Sequence, residues 1–270
     1  MATNPLHLNL RVATTLVVAA LLGTVAASSA TASPSSRSDA GAIAVPILMY
    51  HRIDYLRPTL PEITRRLTVD PNDFARQMRW LKAHGFHTLT QSQLLAGLLH
   101  GAALPSKPIL VTFDDGYRDV LGKASPVMQR LRLRGTEYVI SGRLHGTDPS
   151  FLTVPQLRVL EQRGIEIGSH TVTHADLPAL DNADALKELR VSNLTLERAV
   201  GHPVRWFAYP YGAYDSRIAA LVRRAGYKLA VTTQARTCQS PSRALELNRL
   251  EVLDTTRVAG LAAMLRGATC

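Results

Sequence analysis

The apolar run Ile109-Leu110-Val111-Thr112-Phe113 ends abruptly in Asp114-Asp115-Gly116-Tyr117. Bounded by Pro108 and Gly116 and carrying β-branched and aromatic residues, it reads as a strand buried in a parallel sheet. Its acids then lie at the carboxyl end of the strand, where α/β folds place ligands and chemistry. Neighbouring side chains on an extended chain point to opposite faces, so Asp114 and Asp115 are expected to do different work unless the turn at Gly116 re-aims one of them. An ordinary Asp-Gly turn with solvated acids is the competing reading of the same residues.

Around this strand, short apolar segments alternate with helical patterns. Val45 to Tyr50 reads as a first strand with His51 at its end. Asp70-Pro71 opens a helix as N-cap and first-turn proline. Further strands are expected at 86–89, 136–140, 165–168, 206–209, 227–232 and 247–253. Helices are expected at 91–100, 118–134 with a kink at Pro126, 154–163, 181–200 and 215–225, and from about Thr255 onward. Strands of four to seven residues separated by helices imply βα units and a parallel barrel or open sheet, with the loops after successive strands gathered on one face. That geometry is expected to bring Asp114, Asp115, His170, His174 and Arg205 together.

The amino-terminal segment carries one basic side chain, Arg11, and no acid before an apolar stretch from Val12 to Ala27. Ala30-Thr31-Ala32 follows as a small-x-small site. This is the layout of a secretory signal peptide over residues 1–32, with an uncleaved anchor as the alternative, followed by a Ser-rich flexible leader over 33–43. Residues 44–270 remain as one domain with enough chain for a real core. The formal charge of +10 falls to +9 without Arg11, which suits anionic surroundings such as envelope polymers. The basic residues are scattered, with no zinc-finger, RNP or helix-turn-helix pattern, so no specific nucleic-acid partner is expected. In an exported chain the two cysteines, Cys238 and Cys270, are expected to form one disulfide pinning the carboxyl terminus.

His170 and His174, with three residues between them after the strand 165–168, form a metal-binding pattern when joined by a carboxylate from another strand end. Two imidazoles and one carboxylate leave a coordination position open for a water made nucleophilic, and the second carboxylate can take its proton. Arg205-Trp206-Phe207-Ala208-Tyr209-Pro210-Tyr211-Gly212 adds a guanidinium able to hold a carboxylate ionised and a turn whose N–H groups can face an oxyanion. An aromatic-rich strand and turn with Arg205 on the surface is the alternative for this stretch.

Thr112-Phe113-Asp114-Asp115-Gly116-Tyr117, His170-Thr171-Val172-Thr173-His174 and Arg205-x-Phe207-x-x-Pro210-Tyr211-Gly212, in this order, resemble the polysaccharide deacetylase family, the NodB homology domain or carbohydrate esterase family 4. The resemblance spans roughly residues 44–255. Pro46 to Ile53 looks like the branch of exported poly-N-acetylglucosamine deacetylases. The resemblance implies an α/β fold, a distorted (β/α)7 barrel, and a secreted, metal-dependent hydrolase releasing acetate from an N-acetylhexosamine polymer. It implies Asp114 as general base, with Asp115, His170 and His174 holding a divalent metal, Zn2+ first among the candidates. It also implies Arg205 as the residue holding Asp114 and the Tyr211 N–H as an oxyanion donor. A polysaccharide partner such as peptidoglycan, a chitin-like chain or exopolysaccharide, a monomeric state and no stable membrane span complete this expectation.

One departure from the family pattern concerns the proton donor. Where many members carry a Leu-x-x-His motif, this chain has Leu245-Glu246-Leu247-Asn248-Arg249-Leu250, and an arginine is a poor proton donor. His51 is the candidate replacement, with a purely structural His51 the alternative. A carbohydrate-binding, wall-associated protein without turnover is the second functional reading, and a two-histidine, one-carboxylate iron site the third.

Overall fold

The computed structural model describes residues 41–268 and residue 270. The expected signal peptide, and all but the last residues of the leader, lie outside the described residues.

Eight strands and seven helices position the site. The strands are β1 (Ile47–Tyr50), β2 (His87–Thr88), β3 (Pro108–Asp115), β4 (Gly135–Val139), β5 (Ile165–Ser169), β6 (Trp206–Ala208), β7 (Leu229–Val231) and β8 (Leu250–Glu251). The helices are α1 (Pro71–Ala83), α2 (Gln91–His100), α3 (Ser125–Leu131), α4 (Val154–Gln162), α5 (Asn182–Val200), α6 (Ser216–Arg224) and α7 (Val258–Leu265). They begin where short polar side chains satisfy open N–H groups: Asp70, Asp181 and Asp215 cap α1, α5 and α6, and Thr90 with Gln93 makes a capping box on α2. The kink expected at Pro126 is a π-helical turn at Val120–Ala124 that runs into α3.

All neighbours in the main sheet are parallel, in the order β7-β6-β5-β4-β3-β1-β8, and β2 pairs with the start of β3. The sheet curls until the segment 247–251 meets both of its ends. Leu247 bridges Val231 of β7, while Leu250 and Glu251 pair with Leu48 and Met49 of β1. This is the distorted seven-strand barrel expected from the sequence, closed by one short and irregular segment.

Alternation along the strands sorts the core. Leu48, Tyr50, Val111, Phe113 and Ile167 face outward and pack with Phe74, Met78 and Leu81 of α1 and Leu157 and Leu160 of α4. Ile47, Leu110, Tyr138, Trp206, Ala208, Leu229 and Val231 line the concave side, where Leu94 and Leu98 of α2 cover them. Cys238 and Cys270 form the expected disulfide, with Cα atoms 5.2 Å apart.

Gly168 of β5 sits where the concave side has no room for a side chain. A Cβ there would lie 2.4 Å from Cδ1 of Tyr138 and 3.2 Å from the carbonyl of Trp206. Gly168→Ala is therefore expected to lower stability by about 1–3 kcal/mol, the ordinary cost of overpacking, as a fall in Tm in a thermal melt.

Candidate active site

Asp114 and Asp115 end β3, and the backbone decides where each points. Asp114 shares the concave face with Thr112 and Leu110, opposite Tyr138 of β4. Regular alternation would turn Asp115 to the helix-covered face. Asp115 instead has φ 78° and Gly116 φ 82°, two successive left-handed residues that swing the second acid back toward the site. Asp tolerates this conformation better than most side chains, and at Gly116 a Cβ would press on Val139 at 3.1 Å.

His170 directly follows β5 on the concave side, two residues after Gly168. Its Nδ1 lies 2.8 Å from the carbonyl of Ala208, which makes Nδ1 the donor and leaves the Nε2 lone pair free to ligate. The chain then turns through Thr171, φ 66°, and reaches His174, φ 63°. The two histidines are therefore loop residues, brought together by the turn with ring centroids 4.7 Å apart. Asp115 Oδ1 stands 3.6 Å from Nε2 of each histidine. That is too long for a good hydrogen bond, and one ligand atom from each of the three residues lies within 4.8 Å of the others.

These groups are poor ion pairs and good ligands. Burial holds the His170 imidazole neutral, with its pKa down to about 3, and lowers that of His174 as well. Burial and the adjacent Asp114 push the Asp115 carboxyl up to about 7. A divalent cation held between the three would reverse that burden on Asp115 and would use both imidazoles in the form they already hold. The neutral nitrogens and the hard oxygen fit Zn2+ and related ions.

The residue that holds Asp114 is Arg249. Its guanidinium, 1 % exposed at the side chain, meets both Asp114 oxygens at 2.7 Å in a bidentate pair. It also donates to the carbonyl of Thr232 and the hydroxyl of Thr112. Burial opposes the Asp114 charge, but Arg249 more than offsets it and keeps the carboxyl down at about 2. Arg205, expected from the sequence in this role, is exposed and makes no contact with Asp114. It precedes β6, at the amino end of the sheet, and shares its parity with Phe207, whose side chain points to the helix-packed face. The sequence did single out Arg249, but only as the residue standing where a proton donor was sought. The signal missed was an arginine inside the apolar closing segment, a charge that can be buried there only with a partner.

His51 follows β1. Burial takes its pKa down to about 4 against the pull of Asp114, and its buried Nδ1 has no hydrogen-bond partner among the described residues. Tyr211 adopts φ 58° in the turn after β6. Gly212 and Ala213 use their N–H groups within that turn, while no hydrogen bond takes up the Tyr211 N–H among the described residues. The exposed Tyr211 ring stands edge-on to His174, centroids 4.5 Å apart.

Residues 101–230, which carry both acids and both histidines, match the family model described as polysaccharide deacetylase. A crystal structure of a polysaccharide deacetylase from Bacillus cereus is 30 % identical, covering 82 % of this chain and 69 % of its own, with a TM-score of 0.72. The chain belongs to the polysaccharide deacetylase family. Its chemistry is accordingly a hydrolysis. The Streptococcus pyogenes deacetylase PplD, solved in complex with acetate, superimposes on this deacetylase with a TM-score of 0.77 at 28 % identity, over 83 % of this chain and 99 % of that one. The poly-β-1,6-N-acetyl-D-glucosamine N-deacetylase of Staphylococcus aureus is 23 % identical over 230 residues, 77 % of this chain and 78 % of its own. Among the described residues no helix of the deacetylase is long and apolar enough to cross a membrane.

The two arginines should separate cleanly in mutants. Arg249→Ala leaves a buried carboxylate unpaired, so a loss of about 3–5 kcal/mol in denaturant unfolding is expected, together with loss of hydrolysis. Arg205→Ala should stay within about 0.5 kcal/mol of wild type, like other exposed positions. The folded-state pKa of Asp114 lies below its unfolded value. The stability it contributes is thus present above about pH 4 and lost as pH falls toward about 2, a limb that Asp114→Asn should remove from the pH–stability curve.

Proposed function

We propose that this protein is an exported, metal-dependent deacetylase that hydrolyses N-acetyl groups of an N-acetylhexosamine polymer. The observation that carries the reading is the convergence of Asp115, His170 and His174 beside an Asp114 that Arg249 keeps ionised. The Staphylococcus aureus relative, named for N-deacetylation of a β-1,6-linked N-acetylglucosamine polymer, supports the substrate class. The sequence layout of residues 1–32 supports export.

Asp115, His170 and His174 would hold the ion, Zn2+ first among the candidates, which when bound lowers the pKa of a ligating water and polarises an acyl oxygen. Asp114 serves as the base. Each of its oxygens keeps a lone pair beyond the one given to Arg249, and its charge persists across the working pH range. Arg249 fixes the carboxylate plane and leaves proton donation to another group. The Tyr211 N–H, free of any partner within its turn, is the donor assigned to the charge that develops on the acyl oxygen. As the water oxygen bonds to the acyl carbon and the C–N bond breaks, the amine nitrogen needs a proton, and His51, neutral in its buried setting, is the group assigned to pass on the proton that Asp114 took from the water. The products are acetate and a free amine on the sugar.

Acetate release from N-acetylglucosamine oligomers, measured with and without a chelator, tests this reading. Activity should vanish on chelation and return with added divalent ion. Asp114→Asn should lower kcat by about 100-fold or more, and His51→Ala should lower kcat while reshaping its pH profile. Oligomer binding without acetate release by the metal-loaded wild type would favour the carbohydrate-binding reading instead.

A further inference from the structure

We propose that Glu188 and Glu137 are positioning residues that set the metal-binding geometry by fixing backbone, without touching a ligand side chain. This rests on the metal-site reading above. Both ligand-bearing segments contain non-glycine residues in left-handed backbone. Asp115 lies in one, and Thr171 and His174 in the other. Such conformations hold only where the surroundings over-determine them. A slip of either turn would move Asp115 or His174 out of reach of a shared ion.

Each segment is gripped by a glutamate from a neighbouring element. Glu188 of α5 reaches into the histidine loop, where its Oε2 accepts from the N–H of Val172 at 2.8 Å and of Thr173 at 3.0 Å. Its Oε1 accepts from the Thr173 hydroxyl at 3.0 Å. Both residues between Thr171 and His174 are thereby tied to the helix. Thr171 adds an internal tie, its hydroxyl oxygen accepting from the His174 N–H at 2.9 Å.

Glu137 of β4 does the same under the acids. It is fully buried on the helix-packed face, level with Phe113, and its Oε1 accepts from the Gly116 N–H at 2.9 Å. Its second oxygen is buried with no hydrogen-bond partner among the described residues. An apolar side chain would remove that unpaired oxygen but would leave the buried Gly116 N–H without its acceptor. Holding the Gly116 N–H, and with it the left-handed step that aims Asp115, is the interaction that accounts for an acid there.

The test is metal affinity, which a purely structural loop tie would not move. The full chain is stripped of metal and titrated with Zn2+ against a competing chromophoric chelator, then loaded with Co2+ to read its visible absorption. Glu188→Ala and Glu137→Leu are each expected to raise the Zn2+ Kd by about 10-fold or more and to alter the Co2+ spectrum. Glu188→Gln and Glu137→Gln keep an acceptor oxygen for the same N–H groups and should recover most of the affinity. Should Glu188→Ala fail to fold, Glu188→Asp, which keeps the charge but falls short of the loop, is expected to weaken binding likewise. Wild-type affinity and spectrum in both Glu188→Ala and Glu137→Leu, whatever their Tm, would overturn the proposal alone. Failure of the wild type to bind Zn2+ would remove the metal-site reading, and the proposal with it.

Discussion

The pair between Arg249 and Asp114 joins the closure of the barrel to its chemistry. Arg249 belongs to the segment 247–251 that touches both ends of the curled sheet, and Asp114 ends the strand at its middle. A bidentate bond across the concave side therefore fixes the last strand against the third. Buried ion pairs are weak contributors to net stability, because desolvating both charges costs about as much as their attraction returns. What such a pair supplies here is placement. The carboxylate is ionised, planar in one orientation and unable to rotate away from the site.

The division of labour between adjacent acids follows from that placement and from a local departure of the backbone. Asp114 lies in regular strand geometry with a guanidinium beside it, which keeps it charged and leaves it outside the Asp115, His170 and His174 cluster. Asp115 lies one residue later in left-handed backbone, pushed toward neutrality by burial and its neighbour, and faces two neutral imidazoles. The same residue type is thus given two environments within one peptide bond. One suits proton transfer and the other suits a cation.

Much of the site was legible in advance because it is local. The acids at a strand end, the paired histidines after another strand and the Pro-Tyr-Gly turn are short patterns whose chemistry can be read from residue type and spacing. The arginine was read wrongly for a physical reason. Arg205 stands beside a recognisable pattern, but strand direction and alternation send it to the outer face at the wrong end of the sheet. Arg249 has no local pattern to mark it, since the carboxylate it meets is 135 residues away in sequence. Glu137 and Glu188 escaped for a related reason. A lone acid in a strand or on a helix looks like a solvated side chain until the backbone it grips is known.

By itself the sequence determined the alternation of strands and helices, the capped helix starts, the parallel sheet and the residue types available for a metal, because these depend on periodicity, turn chemistry and side-chain identity. Only the tertiary structure decided which arginine holds Asp114, that Asp115 turns back into the site, and which acids brace the ligand-bearing turns. These depend on where the curl of the sheet brings remote residues, and on single left-handed backbone steps that no residue pattern announces.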